Sequence, residues 1–385
     1  MLLRACLLVL FCSAGFIGAA CAAGPPASDL DIIRGSAVGE GFAHAVGPRV
    51  FEFPRDHGPH PEFRHEWWYV TGNLESSSGE RYGFELTFFR IALRPPGHQP
   101  AGVSAWRAQQ LYVAHFAVTD VSRGTFQFVQ KRSRAALGLA GAQAEPFRVW
   151  LDDWLLGVPA ADAHVSAGDP ASREWVVQAD GGDYSLTLDA RPLIDPVLNG
   201  QAGLSLRSAD SRAASYYYSI PRVAVHGTLT RGGHSSRVSG LAWLDREWGS
   251  GSLGADQQGW DWFALQMEDG ATVMFYNLRN RDGSRDPHSA GTWVDPTGRV
   301  RTLLSDQVLI DVTDHWVSPR HGKYPSRWHL RVPAAGLDVE VRPVLADQEL
   351  DTHPRYWEGA VNLRGKRDGR DTAGRGYVEL VGYGE

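Results

Sequence analysis

The sequence predicts an all-β protein made of two β-barrels in tandem, and three observations lead to this class. The 385 residues include 43 Gly and 14 Trp, and frequent glycine combined with aromatic residues favours short strands joined by tight turns. In many segments apolar residues occupy every second position, which is the period of a half-buried strand. These segments form two successive series separated by turn-forming residues, which favours two β-domains.

The first series begins after residue 47. Tyr82, Phe84, Leu86 and Phe88 alternate with polar or small residues, as expected for a strand with one apolar face. The run 111–118 is almost continuously apolar, which is typical of a strand covered on both faces. Three more strands are predicted, the first two of them flanking an Asp-Gly-Gly-Asp hairpin turn: 175–179, 184–188 and 215–220.

The second series begins near Ala224 and supplies five further strands, at 225–230, 236–241, 273–278, 328–332 and 376–383. Two short helices are predicted near 145–156 and 305–312. We therefore expect an N-terminal domain over residues 48–222 and a C-terminal domain over residues 223–385. Because a closed barrel encloses an apolar interior, we expect a ligand cavity inside a barrel.

The N-terminus has the features of a secretory signal peptide over residues 1–22. Arg4 supplies the positive start, an apolar core follows over 7–17, and small residues precede the expected cleavage site. Residues 23–47 are predicted to form a linker. The expected location is periplasmic or secreted. An alternative is lipidation of Cys21, and only then would the chain be attached to a membrane.

Composition narrows the range of partners and chemistry. The formal net charge is −6, which argues against nucleic acid and anionic membrane surfaces as partners. All three cysteines lie in or beside the predicted leader: Cys6, Cys12 and Cys21. The mature chain is therefore expected to have neither an internal disulfide nor a thiol nucleophile.

A predicted strand carries Glu66 beside Trp67 and Trp68. On a strand, Glu66 and Trp68 share one face, and Trp67 lies on the other. Two interpretations follow. Glu66 is an acid or a ligand anchor in a cavity, or it is an ion-pair partner of Arg64 or Arg90 among ordinary core tryptophans, and base rates favour the ion pair.

A second acidic motif places Asp245 and Glu247 on one face of a strand, with Arg246 and Trp248 on the other. Neighbouring buried carboxylates raise each other's pKa, so that one becomes a proton donor near neutral pH. The alternative is an ion-pair network with nearby arginines that stabilises the domain junction.

A third motif contains Trp260, Asp261 and Trp262. The two tryptophans share one face and Asp261 takes the other, so the three side chains cannot all line one cavity. Asp261 is then either a buried acid or a structural partner on the opposite side. The indole faces would stabilise a passing carbocation by cation–π attraction.

Other motifs carry little functional weight. Three histidines lie in or near a Pro-rich loop with no helix to fix their geometry, so no metal site is predicted: His57, His60 and His65. The sequence has no Gly-x-Ser-x-Gly nucleophile elbow. Three glycines match a nucleotide-binding spacing without the strand–turn–helix context that it requires, and no cofactor is predicted: Gly249, Gly251 and Gly254.

The motifs together resemble those of the CrtC/AttH group of secreted proteins, which are carotenoid 1,2-hydratase-like or hydroxyneurosporene synthase-like. The matching segments are 53–58, 65–72, 245–249, 259–266, 356–361 and 376–380. The resemblance covers roughly residues 45–385 and is specific, because rare Trp motifs recur in the same order. It implies two lipocalin-like (calycin) domains and a hydrophobic, isoprenoid-like ligand.

The resemblance also implies a chemistry in which an acid protonates a terminal isoprenoid double bond and water captures the resulting cation. The family's catalytic aspartate corresponds here to the Tyr276-Asn277 position, so an amide replaces the acid. A histidine of the Asp-x-x-Trp-Gly motif is replaced by Arg246 or Glu247. Because an amide cannot protonate an alkene, the resemblance implies that orthodox hydratase activity is altered.

Our leading hypothesis from the sequence is a binding protein for a long apolar ligand such as a lipid or isoprenoid. The alternatives are a hydro-lyase or hydrolase working by acid catalysis, and an accessory protein of an envelope lipid or lipoprotein export system, with an envelope transporter as partner. The predicted catalytic residues are Asp245, Glu247 and Asp261. The predicted ligand-binding residues are Glu66, Trp67, Trp68, Trp248, Trp260, Trp262, Tyr276, Asn277 and Trp357.

Overall fold

A computed structural model describes residues 41–97, 109–158, 174–320, 322–352 and 355–383. The predicted leader and Cys21 lie outside these ranges. The described strands, numbered in chain order, are β1 (His65–Ser76), β2 (Arg81–Ala92), β3 (Gln110–Asp120), β4 (Thr125–Arg134), β5 (Ala140–Gln143), β6 (Arg148–Leu151), β7 (Trp154–Gly157), β8 (Trp175–Asp180), β9 (Tyr184–Pro192), β10 (Val197–Leu198), β11 (Leu204–Leu206), β12 (Ala214–Arg231), β13 (His234–Gly249), β14 (Gln257–Met267), β15 (Thr272–Asn280), β16 (Ala290–Val294), β17 (Val300–Leu304), β18 (Leu309–Val317), β19 (Lys323–Val332), β20 (Leu337–Pro343), β21 (Glu349–Leu350), β22 (Tyr356–Arg367) and β23 (Arg370–Val381). The described residues also include three short 3₁₀ turns: Arg55–His57, Ser305–Gln307 and Pro333–Ala335.

The strands form two barrel-like antiparallel sheets, which confirms the predicted all-β class. The first sheet has the order β4-β3-β2-β1-β13-β12-β9-β8-β7-β6-β5, and β10 and β11 pair with β12. The second sheet has the order β17-β16-β15-β14-β23-β22-β20-β19-β18, and β21 pairs with β22. The outer faces of β1, β2, β12 and β13 pack against those of β14, β22 and β23, so the two sheets meet face to face.

The division between the two sheets lies further along the chain than the sequence indicated. The expected boundary between residues 222 and 223 falls inside β12, which continues to Arg231. The change of sheet occurs between Gly249 and Gln257. The pairing of β12 is irregular between Ile220 and Val223, beside Pro221. The alternation of apolar and polar residues is interrupted there, and the sequence analysis interpreted this interruption as a domain boundary.

Neither predicted helix is present as such. The segment 145–156 forms the hairpin of β6 and β7, because Asp152 adopts a left-handed conformation (φ 54°) that reverses the chain. In the segment 305–312, the 3₁₀ turn gives way to strand β18 at Leu309. Apolar spacing over such short segments does not separate a helix from a tight hairpin.

A buried ionic cluster lies in the interior of the first sheet. Glu66, Arg90 and Arg246 are all fully buried, and Glu66 forms ion pairs with both arginines. The backbone N–H of His60 donates to both carboxylate oxygens at 3.1 Å. Burial would raise the pKa of Glu66, but the two guanidinium groups hold it well below its usual value. The structure thus supports the ion-pair interpretation of Glu66.

Two tryptophans surround this cluster. The Arg246 guanidinium lies 3.9 Å from the ring centroid of Trp68, and the Trp68 indole N–H donates to the His57 carbonyl oxygen at 2.8 Å. The Trp248 ring stacks on the His60 ring with centroids 3.8 Å apart. These side chains occupy the interior in which the sequence predicted a ligand cavity.

We expect the Glu66→Gln substitution to destabilise the protein by about 3–5 kcal/mol, because it leaves two buried guanidinium groups without their counter-charge. The free energy of unfolding from urea denaturation measures this effect. The control is Asp311→Asn, which breaks an exposed 2.8 Å ion pair with Arg331 and should change stability by less than about 1 kcal/mol. Equal effects of the two substitutions would contradict this account of the cluster.

Candidate active site between the two sheets

A cavity lies between the outer faces of the two sheets rather than inside a barrel. The free space in it, counted out to its open mouth, is about 770 Å³. Strands β1, β2, β12, β13, β14, β15 and β23 contribute to its walls. The lining residues are Trp67, Tyr69, Phe89, Ser205, Arg207, Tyr217, Asp245, Glu247, Leu253, Trp260, Trp262, Tyr276, Leu278 and Glu379.

Strand alternation decides which residues face this cavity. In the pairing of β1 with β13, Trp67 lies opposite Glu247 and Tyr69 lies opposite Asp245. Their neighbours Glu66, Trp68, Arg246 and Trp248 point to the interior of the first sheet, because successive side chains of a strand point to opposite faces. In each motif, every second residue therefore faces the cavity, and the residues between them face the ionic cluster.

Three donors hold the carboxyl group of Asp245. The Ser219 hydroxyl donates to Oδ1 at 2.5 Å, the Trp243 indole N–H donates to Oδ1 at 2.7 Å, and the Tyr217 hydroxyl donates to Oδ2. Burial raises the pKa of Asp245 to about 7, while these hydrogen bonds oppose the rise and the charge of Glu247 adds to it. Asp245 therefore titrates near neutral pH.

The second carboxyl group of this strand has a different environment. Glu247 forms an ion pair with Arg207, and the Ser215 hydroxyl donates a hydrogen bond to the same carboxylate oxygen. Both partners are largely buried. The ion pair holds the two side chains together and places one guanidinium group in the cavity wall.

A third carboxyl group enters from the second sheet. The indole N–H of Trp260 donates to Oε2 of Glu379 at 2.7 Å. Burial raises the pKa of Glu379 to about 8; the Trp260 hydrogen bond opposes the rise, and the charges of Glu85, Asp245 and Glu247 contribute to it. Glu379 is therefore mainly protonated at neutral pH, in an apolar wall and within the same cavity as Asp245.

Two further carboxyl groups are buried where the sheets meet. Oε1 of Glu85 accepts hydrogen bonds from the Thr87 hydroxyl at 2.8 Å and the Tyr356 hydroxyl at 3.2 Å. Burial raises the pKa of Glu85 to about 7. Burial also raises the pKa of Glu358 well above its usual value, and the charges of Glu85 and Glu379 act in the same direction.

The cavity brings together six of the residues predicted from the sequence. Two were predicted to be catalytic and four to bind ligand. They are Asp245, Glu247, Trp67, Trp260, Trp262 and Tyr276. The aromatic members form apolar walls around the carboxyl groups, and the indole N–H of Trp262 donates to the Tyr217 hydroxyl at 3.1 Å.

Six predicted site residues lie elsewhere. Glu66, Trp68 and Trp248 belong to the interior of the first sheet for the reasons given above. Trp357 is buried in the core of the second sheet and donates its indole N–H to the Ala346 carbonyl oxygen at 2.9 Å. Successive side chains of a strand point to opposite faces, so a residue next to a cavity residue in the sequence points away from the cavity.

Asp261 and Asn277 are also turned away from the cavity. Asp261 accepts hydrogen bonds from Arg279 and Tyr383, both at 2.9 Å, and from the Asn277 amide at 3.1 Å. The Asn277 carbonyl oxygen in turn accepts a hydrogen bond from Arg285 at 2.7 Å. Asp261 is thus the structural partner that one sequence interpretation allowed.

Several cavity residues escaped the sequence analysis. Arg207 follows the short strands β10 and β11, in which apolar and polar residues alternate only weakly. Tyr217 and Ser219 belong to β12, and the run of tyrosines in this strand did not indicate which face meets the cavity. Glu379 lies in a segment that contributed to the family resemblance but carried no assigned role. Its pairing with Trp260 joins residues far apart in the chain, which no local pattern shows.

Among the described residues, no group of three or more His, Cys, Asp or Glu side chains is arranged to hold a metal ion. His60 instead contacts Asp56 at 3.0 Å, and His65 stacks on Trp67 with ring centroids 6.1 Å apart. Within the ranges that the structure covers, no helix has the length and apolar character needed to cross a bilayer.

The sequence profile of the AttH-like family matches residues 44–383. The chain belongs to the AttH-like family. A crystal structure of a candidate AttH protein from Nitrosomonas europaea is 35% identical, with a TM-score of 0.75 over 88% of this chain and 100% of that one. The family resemblance and the predicted fold of tandem lipocalin-like domains are both confirmed.

Two fungal proteins show weaker similarity to this AttH-like chain. The dehydratase AsqC of Emericella nidulans is 24% identical over 222 residues, a match that covers 53% of this chain and 60% of that protein, which is less than two thirds of its length. The crystal structure of kievitone hydratase from Nectria haematococca superposes with a TM-score of 0.65 over 88% of this chain and 95% of that one. At 14% identity, this second likeness is one of fold alone.

Stability is expected to depend on pH through the buried carboxyl groups. Glu85 has a pKa of about 7 in the fold, against 4.5 as its ordinary value. The folded state therefore holds the proton more tightly than the unfolded chain does. The stabilising contribution is complete below about pH 4.5 and is lost as the pH rises through about 7.

Between about pH 5 and about pH 9, we expect the free energy of unfolding to fall by about 3 kcal/mol more in the wild type than in Glu85→Gln. Urea denaturation at a series of pH values measures both slopes. Glu340→Gln, a substitution at a partly exposed position paired with Arg342, serves as the control and should keep the wild-type slope. Identical slopes for wild type and Glu85→Gln would show that Glu85 does not titrate in this range.

Proposed function

We propose that this protein is a hydro-lyase that adds or removes water on an apolar small molecule bound between the two sheets. The observation that carries the proposal is the presence of differently held carboxyl groups in one aromatic cavity. Glu379 has one indole donor and a pKa of about 8, whereas Asp245 has three donors and a pKa of about 7. Carboxyl groups whose environments separate their pKa values are suited to act as acid and base.

Glu379 is the proposed proton donor. In the hydration direction its carboxyl proton moves to one carbon of a C=C bond, and the other carbon becomes a cation. A water molecule then forms the new C–O bond and gives a proton to the Asp245 carboxylate. The proton returns from Asp245 to Glu379 through solvent, so the net reaction consumes only water. Dehydration is the reverse sequence.

The aromatic walls suit such a cationic intermediate. Trp67, Trp260 and Trp262 present indole rings to the cavity, and the negative face of an aromatic ring stabilises a nearby cation. The carboxylate of Glu247, paired with Arg207, adds a negative charge to the cavity wall. An apolar substrate gains further binding energy by covering these rings.

The dehydratase among the relatives supports this choice over simple binding, since its name describes removal of water. The sequence-based alternative assigned the acid to Asp245, Glu247 or Asp261. The geometry instead favours Glu379 as donor and Asp245 as acceptor, and it leaves Asp261 outside the cavity.

A second candidate function is the binding of an apolar lipid or isoprenoid without turnover, which the same aromatic walls favour. The periplasmic or secreted location and an envelope transporter as partner remain proposals tied to the leader predicted over residues 1–22.

We incubate the purified protein with acyclic isoprenoids in heavy-oxygen water and expect it to form products that carry the oxygen label. The probes are myrcene, its hydrated counterpart linalool, and lycopene, with products measured by mass spectrometry. Glu379→Gln should lower kcat/KM by roughly 100-fold to 10,000-fold, because an amide supplies no carboxyl proton. The surface variant Glu340→Gln is the matched control and should retain wild-type rates.

Full turnover by Glu379→Gln would refute the assignment of the donor. Tight retention of these isoprenoids by the wild type, with no label incorporated into any of them, would favour the binding function instead.

The pH dependence of kcat/KM gives an independent test. Activity requires Asp245 without its proton and Glu379 with its proton, so we expect a narrow optimum between about pH 7 and about pH 8. Asp245→Asn should remove the acidic limb and leave a low rate that stays constant down to about pH 5.5. If the kcat/KM of the wild type did not fall at alkaline pH, the assignment of a protonated Glu379 as the donor would be contradicted.

A further inference from the structure

Three buried glutamates lie at the junction of the two sheets, on the side of the cavity that is lined by Tyr69 and Glu379 and that we call its floor. We call the three glutamates the carboxyl cluster: Glu85, Glu358 and Glu379. Glu358 and Glu379 are directly opposite each other in the pairing of β22 with β23, so their side chains share the face that meets the first sheet. Glu85 lies on the facing strand β2. The charges of Glu85 and Glu379 both act on Glu358.

The carboxyl cluster has no basic partner among the described residues. Several other buried carboxyl groups are paired with arginine: Glu66 with Arg90 and Arg246, Glu247 with Arg207, Asp261 with Arg279, and Glu349 with Arg320. Asp245 is instead held by three uncharged donors. In the part of the chain that the structure describes, neither Glu85 nor Glu358 nor Glu379 forms an ion pair with Lys, Arg or His. Like Asp245, the carboxyl cluster thus lacks a compensating positive charge.

Two polar groups at this floor are left without hydrogen bonds. Both carboxyl oxygens of Glu358 are fully buried, and neither makes a hydrogen bond of normal geometry with a described residue. The Tyr69 hydroxyl, whose side chain lines the cavity and is 7% exposed, lies close enough to Glu358 to lower the pKa of that carboxyl group as a donor, but the two groups do not meet at normal hydrogen-bonding geometry. Buried polar groups normally have partners, so these atoms are suited to a ligand.

We propose that the carboxyl cluster, with Tyr69, is a recognition site for the protonated amine of an otherwise apolar ligand. The inference rests on the proposal that the cavity is the ligand site, and it adds the chemical class of that ligand. An ammonium group donates up to three hydrogen bonds and supplies the missing positive charge. The aromatic side chains Trp67, Trp260 and Trp262 would cover the apolar part.

The same site suits the positive charge that develops in the proposed reaction. An alkylammonium ion places a stable charge where a carbocation would be transient, so amines would act as mimics of the intermediate. The site must lose one carboxyl proton when it accepts an ammonium ion. Its affinity for amines is therefore linked to pH.

The test compares octylamine with 1-octanol, which has the same chain and no charge, by isothermal titration calorimetry on the full protein. At about pH 8 we expect octylamine to bind roughly 10-fold to 100-fold more tightly, because hydrogen bonds to charged groups are stronger than neutral ones. Between about pH 6 and about pH 8, its affinity should rise by up to tenfold per pH unit as one proton is released. Octanol affinity should not rise.

Glu358→Gln keeps the shape of the side chain but cannot ionise, and it should remove roughly tenfold of the amine affinity while octanol affinity stays constant. The surface variant Glu340→Gln is the matched control and should behave as the wild type. The pH series on the wild type needs no substitution, so the proposal stays testable even if Glu358→Gln fails to fold.

Equal affinity for the two ligands, or amine binding that is independent of pH, would overturn the proposal. The affinity for the two ligands is measured separately from turnover. Loss of the amine preference together with labelled product in heavy-oxygen water would reject only the amine site, whereas amine binding without turnover would reject only the hydro-lyase.

Discussion

The ion pairs of Glu66 with Arg90 and Arg246 are the constraint on which the rest of the site depends. They join β1, β2 and β13 inside the first sheet, where an unpaired charge would be strongly unfavourable. A shift of one residue in either strand pairing would move these charges to the opposite face. The same register brings Trp67 opposite Glu247 and Tyr69 opposite Asp245 on the outer face. The ionic cluster thus orients the cavity without contacting it.

The second sheet completes the site because it covers a face that is polar and aromatic at once. Trp243, Tyr217 and Tyr69 of the first sheet pack against Trp262 and Tyr276 of the second. Some polar groups of this face find partners across the junction, as when the Ser205 and Tyr276 hydroxyl groups meet at 2.9 Å. The carboxyl groups are therefore buried by assembly of the two sheets, and this burial raises their pKa values.

The sequence predicted the fold better than the site, for physical reasons. Alternation is local, so strands such as β2 and β9 were evident, and the order of Trp motifs identified the family. Alternation also sorted each motif into two faces, but it does not say which face meets a ligand. Trp68 and Trp248 were therefore grouped with Trp67, although they fill the interior. Glu379 acquires its role from a pairing between distant strands, for which a single sequence carries no signal.

The position of Asn277 shows why a motif replacement is weak evidence about activity. The family resemblance implied that an amide at this place removes the catalytic acid. In the structure, Asn277 faces away from the cavity and holds Asp261 together with Arg279. An acid at this position of the present fold would add a negative charge beside Asp261, where like charges repel. The proton chemistry open to this chain instead resides in Glu379 and Asp245, whose environments differ because one has a single indole donor and the other has three donors. The environment of the carboxyl groups, and not the presence of an acid at one aligned position, sets what the cavity can do.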